Sequence, residues 1–347
     1  MLRSLYLRNF RNIEELDLHF GPQANVFYGL NAQGKTNLLE AIALLSTGRS
    51  FRTQQLPELI REGAAFFFLE ALFDREGISQ SVRVFFDGKN KKVEYNASSY
   101  PSFQPLLGLI PSVFFTPQDS DLITGSPALR RRFLDMHLAQ SDPLYVHHLL
   151  RFWRAIRQRN TQLRTKSLEG IDCWEQEMAL SATYLLERRN IFLRELNSLI
   201  NDCPLKKESI ELRYQPSQPE QNYLAQLTKN RKRELHLGFT LTGPHRDDFT
   251  LYLAEKPSRP YASEGQKRCA SATLRLAEWQ RLHKETGTTP LFGIDDFELH
   301  LDRERQDLFQ NTAQALGQIF VTSPEEPTRW KDARCFLVES GKISQRD

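Results

Sequence analysis

The chain has 347 residues, 40% of them hydrophobic and 26% charged, with a formal net charge of +3. These values exclude a disordered or fibrous chain and suit one large domain with an insertion or two modest domains. So small a net charge does not indicate nucleic acid by itself, and any such reading depends on where the cations lie.

The first eight residues alternate apolar with polar and lack the apolar core of a signal peptide. No stretch approaches the ~18 apolar residues that a membrane span needs. Cys173, Cys203, Cys269 and Cys335 are scattered without a C-x-x-C pair, which suggests neither zinc nor a disulfide framework and fits a reducing cytosol. The expectation is a soluble, cytoplasmic protein with no membrane partner.

Alternation predicts strands at residues 2–7, 16–20 and 25–28, the first two separated by the polar turn Arg8-Asn9-Phe10-Arg11-Asn12. After the third comes Gly29-Leu30-Asn31-Ala32-Gln33-Gly34-Lys35-Thr36, which matches G-x-x-x-x-G-K-[ST] and leads into helical spacing over 36–45. A strand before and a helix after are the context this motif requires. Its glycines let backbone N–H groups face phosphate oxygens, Lys35 reaches the β and γ phosphates of ATP, and Thr36 can ligate Mg²⁺. Strand character returns at 66–73 and 82–86, with Asp87-Gly88 a turn and Val93-Glu94-Tyr95 a hairpin return.

From 127 to 237 the pattern becomes long, basic and helical, as over 144–163 and over 174–200, where Met178, Leu185, Phe192, Leu196 and Leu199 recur at helical intervals. This region reads as a helical arm inserted in a mixed α/β body. Strands are expected again at 238–241, 249–253, 291–294 and 318–321, with a helix from 263 to about 283. The predicted architecture is therefore a body split between residues 1–126 and 238–347, with the arm at 127–237 between them.

Leu291-Phe292-Gly293-Ile294-Asp295-Asp296 supplies the carboxylates that an Mg-ATP site needs at the end of a neighbouring strand. Asp295 is the metal-side acid, and Asp296 stands where a general base would polarise the attacking water. Gly293 inside the strand marks close backbone packing. Tyr261-Ala262-Ser263-Glu264-Gly265-Gln266-Lys267-Arg268 leaves two readings open: an N-capped helix with Ser263 as the cap, or a second phosphate-facing helix terminus for a γ-phosphate presented by another subunit. Basic residues gather at Arg130 to Arg132, at Arg151, Arg154 and Arg157, and at Lys229, Arg231, Lys232 and Arg233. They read either as a solvated helical face or as a surface that neutralises phosphates without reading sequence.

Further stretches occur in a fixed order: Leu5 to Asn12, Asn31 to Ile42, Pro117-Gln118-Asp119, Gly125-Ser126-Pro127, Arg130 to Asp135, and Leu241-Thr242-Gly243-Pro244-His245-Arg246-Asp247-Asp248. With the motifs above, the chain resembles the ABC-type ATPase heads of the RecF and SMC group, and within it the RecF family of recombination-repair proteins. The resemblance spans nearly the whole chain. It implies an α/β ABC-type P-loop ATPase head, a mixed sheet with flanking helices, carrying the helical arm as an insertion.

It also implies an ATP-dependent homodimer in which Ser263, Gly265 and Gln266 of one subunit close over the nucleotide held by Lys35 of the other. Gln118 falls where a loop residue would sense Mg²⁺ or water, and Arg11 and Asn12 fall beside the nucleotide. The implied function is an ATP-gated clamp of recombinational repair and replication-fork maintenance on double-stranded and gapped DNA, with RecR and RecO as partners. The family's Ser-Glu-Leu-Asp turn is replaced here by Leu299-His300-Leu301-Asp302, and Thr322 and Ser323 stand where many ABC proteins carry a histidine. Both departures imply slow hydrolysis that acts as a switch.

Three other readings were weighed. An SMC-like mechanical ATPase needs a long heptad coiled coil, and about 110 residues separate the body halves. A transporter-type ABC subunit does not account for the arm or for the Arg8 to Asn12 and Gly243 to Asp248 motifs. A degenerate nucleotide-binding scaffold draws only on the altered turn. No role is apparent for Gly243 to Asp248 beyond a Gly-Pro turn with solvated charges.

Overall fold

The computed structural model describes the chain except for residues 207, 218–221, 297–302, 327–329, 331 and 347. The altered turn at Leu299-His300-Leu301-Asp302 lies outside the described residues. Packing divides the chain into an α/β unit, residues 1–119, 203–205 and 268–347, and a helical unit, residues 120–202 and 206–267.

The α/β unit contains two six-stranded sheets. One is antiparallel, in the order Ile13–His19, Leu2–Phe10, Phe67–Arg75, Ile78–Phe86, Lys91–Tyr95, Ser98–Tyr100. The other runs Lys342–Arg346, Arg334–Glu339, Ala24–Tyr28, Ile319–Ser323, Leu291–Ile294, Ser112–Phe115, and every pair is parallel except that made by the last strand of the chain. Parallel strands covered on both faces read as continuous apolar runs, and all five residues of Ala24–Tyr28 are buried. Period-two alternation still sorts their side chains. Phe27, Phe320 and Phe336 join the antiparallel sheet and the helix Lys35–Thr47 in one core. Val26, Ile294, Ile319 and Val321 face a second core with Leu276, Trp279 and Phe309.

Gly293 is required by that packing, because a Cβ there would collide with the Phe114 ring on the adjacent strand. Residues 203–205 belong to this unit because Cys203 and Leu205 pack into the second core, where Cys269 Sγ donates to the Leu205 carbonyl at 3.4 Å.

In the helical unit the principal helices are Pro127–Ser141, Pro143–Thr165, Ile171–Asn201 and Tyr223–Leu237. Pro143 at the first turn and Asp142, whose side chain accepts from the Tyr145 N–H at 3.1 Å, start the second of these. Met178, Leu185, Phe192 and Leu196 are fully buried along one face of Ile171–Asn201, each contributing roughly 1.5–3 kcal/mol by leaving water.

Residues 238–267, expected in the body, group with this unit. The reason lies in pairing: Asp248–Leu253 forms its ladder with Ile210–Gln215 and Lys256–Pro257, in a separate three-stranded sheet. The strand expected at 238–241 does not form. The N–H groups of Thr240 and Leu241 donate to the side chains of Asn160 and Glu234 instead of to a neighbouring strand. No described helix is long and apolar enough to cross a membrane.

Candidate nucleotide site

Ala24–Tyr28 ends inside the parallel sheet, and the chain turns through Gly29 to Gly34 into Lys35–Thr47. Gly29 has φ 139° and Gly34 φ 116°. A Cβ at Gly29 would lie 2.5 Å from the Val338 carbonyl oxygen, and one at Gly34 would lie 2.7 Å from Asn12 Oδ1. Only glycine fits both conformation and space there.

Asn12 splints the loop. Its Nδ2 donates to the Gln33 carbonyl at 3.0 Å, and its Oδ1 accepts from Asn37 Nδ2 at 2.8 Å. From the other side the Ser340 and Gly341 N–H groups donate to the Gln33 side-chain and backbone oxygens at 2.6 and 2.9 Å.

Lys35 is buried, and its ammonium donates to the Gly29 and Leu30 carbonyls at 2.5 and 2.9 Å. Burial pushes its pKa below the ordinary value, while the charges of Asp296 and Asp295 pull it back up. The adjacent Thr36 Oγ1 donates to Asp295 Oδ1 at 2.8 Å, joining residues 259 positions apart. Thr322 Oγ1 donates to the same Asp295 oxygen at 2.8 Å and accepts the Asp296 N–H at 2.8 Å. Asp296 has φ 50°, a conformation that Asp tolerates better than most residues, and it turns the chain out of the strand. Burial raises the pKa of Asp295 against the lowering effect of the Thr36 and Thr322 hydroxyls.

A hydroxyl and a carboxylate converging beside a lysine are the hard oxygen donors that Mg²⁺ takes along with phosphate, and the glycine cradle leaves backbone room for the phosphates. The residues present therefore fit Mg-ATP.

Beside the loop a cavity of about 620 Å³ is lined by Arg11, Asn12, Asn37, Arg52, Arg61 and Ile60, among others. Arg11 and Arg52 are held by a carboxylate that sequence reasoning missed. Glu40 is wholly buried on the helix and accepts from Arg11 Nε and Nη2 at 2.8 and 2.7 Å, and from Ser50 Oγ. Its position inside an apolar helical run is the signal that could have revealed it, since buried carboxylates need partners.

Gln118 is exposed, shortly after the strand in which the Phe115 carbonyl accepts the Asp295 N–H at 2.9 Å. Its neighbour Asp119 is the tightly held residue, paired with Arg275 Nη2 at 2.6 Å and accepting the Thr116 N–H at 2.8 Å. Burial raises the Asp119 pKa, opposed by the Arg275 charge. Ser263, Gly265 and Gln266 belong to the helical unit, at the start of the helix Glu264–Thr286. Ser263 and Gly265 are exposed. The Ser263 N–H donates to Gln266 Oε1 at 2.8 Å and the Gln266 N–H to Ser263 Oγ at 3.3 Å, a reciprocal capping box.

The family model described as the RecF/RecN/SMC N terminal domain matches residues 1–342. A protein of Protochlamydia amoebophila named DNA replication and repair protein RecF is 44% identical over 337 residues, covering 93% of this chain and 94% of its own. The chain belongs to the RecF family. A relative of the same name from Chlamydia abortus is 38% identical, covering 98% of this chain and 97% of its own. Among solved structures, the recombination mediator protein RecF with ATP, described as part of the RecFOR pathway, superposes with a TM-score of 0.93 at 29% identity, covering 100% of this chain and 97% of that one. An SMC head bound to the C-terminal winged-helix domain of ScpA shares the fold, with a TM-score of 0.59 at 13% identity. The architecture is that of an ABC/SMC-type ATPase head.

Proposed function

We propose that the chain is an ATPase that binds DNA in replication and recombinational repair, with ATP and Mg²⁺ as its cofactors. The observation that carries this reading is the convergence of Lys35, Thr36, Asp295 and Asp296 on one glycine cradle, in a chain whose family includes the RecF protein solved with ATP.

In this reading Lys35 leaves the Gly29 and Leu30 carbonyls to hold the β and γ phosphates, with the N–H groups of the loop from Gly29 to Thr36 around them. Thr36 and Asp295 would hold Mg²⁺, which neutralises charge developing on the transferred phosphoryl group. Asp296, positioned through Thr322, orients and deprotonates the attacking water. The cavity beside Arg11 and Asn12 would take the nucleoside end of ATP.

The exposed Ser263 and Gly265, with Gln266, would cap the γ-phosphate of a second copy, so that ATP closes a homodimer. Gln118 would sense Mg²⁺ or water. Double-stranded and gapped DNA is the proposed ligand of that dimer, with RecR and RecO as partners, as the named RecFOR pathway of the solved relative suggests. Against an SMC-like mechanical ATPase, the longest described helix, Ile171–Asn201 with 31 residues, packs back within its own unit.

One preparation tests the proposal. Dimerisation by sedimentation and duplex binding by anisotropy are measured with and without Mg-ATP, for wild type and Lys35→Met. ATP should promote both in wild type and neither in the variant. Equal behaviour of the two proteins would sink the reading.

A further inference from the structure

The three-stranded sheet of the helical unit brings two distant segments of the chain together. Leu253 stands opposite Ile210 on one side and Lys256 on the other. Glu208 comes just before Ile210, and the Ser209 carbonyl between them is fixed by the Ala254 N–H at 3.0 Å. Just after Lys256 the short helix Ser258–Tyr261 begins, tied back to the sheet by Ser258 Oγ, which donates to the Leu251 carbonyl at 2.7 Å. The Ala262 N–H donates to the Ser258 carbonyl at 2.9 Å and delivers the chain to Ser263. The sheet therefore sets Glu208 beside the Ser263 to Gln266 turn, although Glu208 and Gln266 are 58 positions apart.

Gln266 Nε2 donates to both carboxylate oxygens of Glu208, at 2.8 and 3.1 Å. Its Oε1 accepts the Ser263 N–H at 2.8 Å. The side-chain amide is thus engaged at both ends, its oxygen by Ser263 and its nitrogen by Glu208. Swapping those ends would set oxygen against carboxylate and N–H against N–H, so this orientation is the one its neighbours select.

Glu208 is exposed, and among the described residues it makes no ion pair. Its charge differs in this from that of Glu264 on the same turn, which is paired with Lys267 at 2.7 Å. The capping box between Ser263 and Gln266 closes without Glu208, so a residue that merely stiffened the turn could be neutral. What Glu208 adds is an uncompensated negative charge on the amide that an incoming phosphate would take. Like charges a few ångströms apart at a protein surface repel strongly enough to shift an equilibrium severalfold.

We propose that Glu208 is a brake on ATP-driven pairing: its carboxylate occupies the Gln266 amide in the open chain and must release it before the turn can close over the γ-phosphate of a second copy. The inference rests on the reading of Ser263, Gly265 and Gln266 as half of a shared site, and it adds a residue that sets how much ATP closes that site. Moving the amide from carboxylate to phosphate draws on the free energy of ATP binding. Low ATP therefore leaves the chain open, and a neutral residue at position 208 lowers the threshold.

The test titrates Mg-ATP into the full chain and reads the monomer-to-dimer ratio by sedimentation velocity. Glu208→Ala removes both the contact and the charge and should reach half-dimer at an ATP concentration about fivefold or more below that of wild type. Glu208→Gln keeps an acceptor for the amide but no charge, and its threshold should fall between those two. Glu208→Asp keeps the charge and should stay within about twofold of wild type. The gap between Glu208→Gln and wild type should narrow as salt rises from about 0.05 to about 0.5 M, because screening then acts within a few ångströms. The ATP concentration for half-maximal turnover should fall with the threshold, at unchanged kcat.

An unchanged or raised threshold in Glu208→Ala overturns the proposal. So does a gap between Glu208→Gln and wild type that is absent or independent of salt. Wild type that pairs with ATP while the variants pair no more easily overturns this inference alone. Wild type and Glu208→Ala that both stay monomeric at saturating ATP bring down the shared-site reading with it.

Discussion

The nucleotide site and the core of the helical unit use the same residue types in opposite ways. At the nucleotide site, the hydrogen-bond partners of Lys35 among the described residues are backbone carbonyls, and those of the Asp295 carboxylate are two hydroxyls, while burial raises its pKa. In the helical unit, Arg189 is enclosed by Asp135 at 2.8 Å and Asp247 at 3.3 Å, with Tyr145 OH accepting from its Nε at 2.9 Å. Arg130 and Asp248 meet through two bonds of 2.6 and 2.8 Å. Charges that neutralise one another specify a structure. Charges left to neutral partners are available to a ligand, and that difference separates a candidate site from a scaffold more sharply than motif content does.

The largest effect should come from breaking the scaffold side. Arg189→Met leaves the buried Asp247 and the half-buried Asp135 without their shared cation and should cost about 3–5 kcal/mol. Hydrogen exchange should show the loss in helical-unit peptides, with ATP affinity unchanged. Destabilisation near zero would mean that this network is not what holds the motif in place.

The second effect concerns pH. Burial, with the nearby charges of Arg246, Arg131 and Arg189, lowers the His245 pKa from 6.5 to about 4, against a raising contribution from the Thr240 carbonyl. Between those values the unfolded chain takes up a proton that the folded chain refuses. The stability present above pH 6.5 should therefore fall as pH drops toward 4, by about 3 kcal/mol in all. Denaturant titrations should show this slope, and His245→Asn should flatten it. An identical slope in the variant would assign the proton to another group.

The smallest effect sharpens the other side of the comparison. Thr322→Val keeps the shape of the side chain but removes the hydroxyl that ties Asp295 to the Asp296 backbone. Hydrolysis should fall about tenfold, corresponding to ~1.4 kcal/mol, while ATP affinity stays near that of wild type. Thr322→Ser should restore the rate. A full rate in Thr322→Val would show that the turn positions Asp296 without it.

Local patterns carried much of the fold. The strands around Leu2–Phe10 and Ile78–Phe86, the helix Lys35–Thr47 and the long helices Pro143–Thr165 and Ile171–Asn201 all follow from periodicity. Ser112–Phe115 and Ile210–Gln215 were not legible, being short strands whose partners lie far away in sequence. The basic clusters were legible as charge but not as surface. Arg130, Arg151 and Arg231 are held by Asp248, Glu177 and Glu175, while Arg154, Arg157, Lys229, Lys232 and Arg233 remain exposed.

The sequence by itself determined the phosphate loop and the acidic strand end, because each is contiguous and each obeys a local rule: glycines where φ is positive, a lysine and a threonine at the first turn of a helix, and carboxylates after an apolar strand. Tertiary structure alone decided that Thr36, Asp295 and Thr322 share one oxygen, and that Asp247 and Asp248 turn inward while Phe239 and Arg246 turn out. Those outcomes depend on which distant group neutralises which charge, and no local pattern encodes that choice.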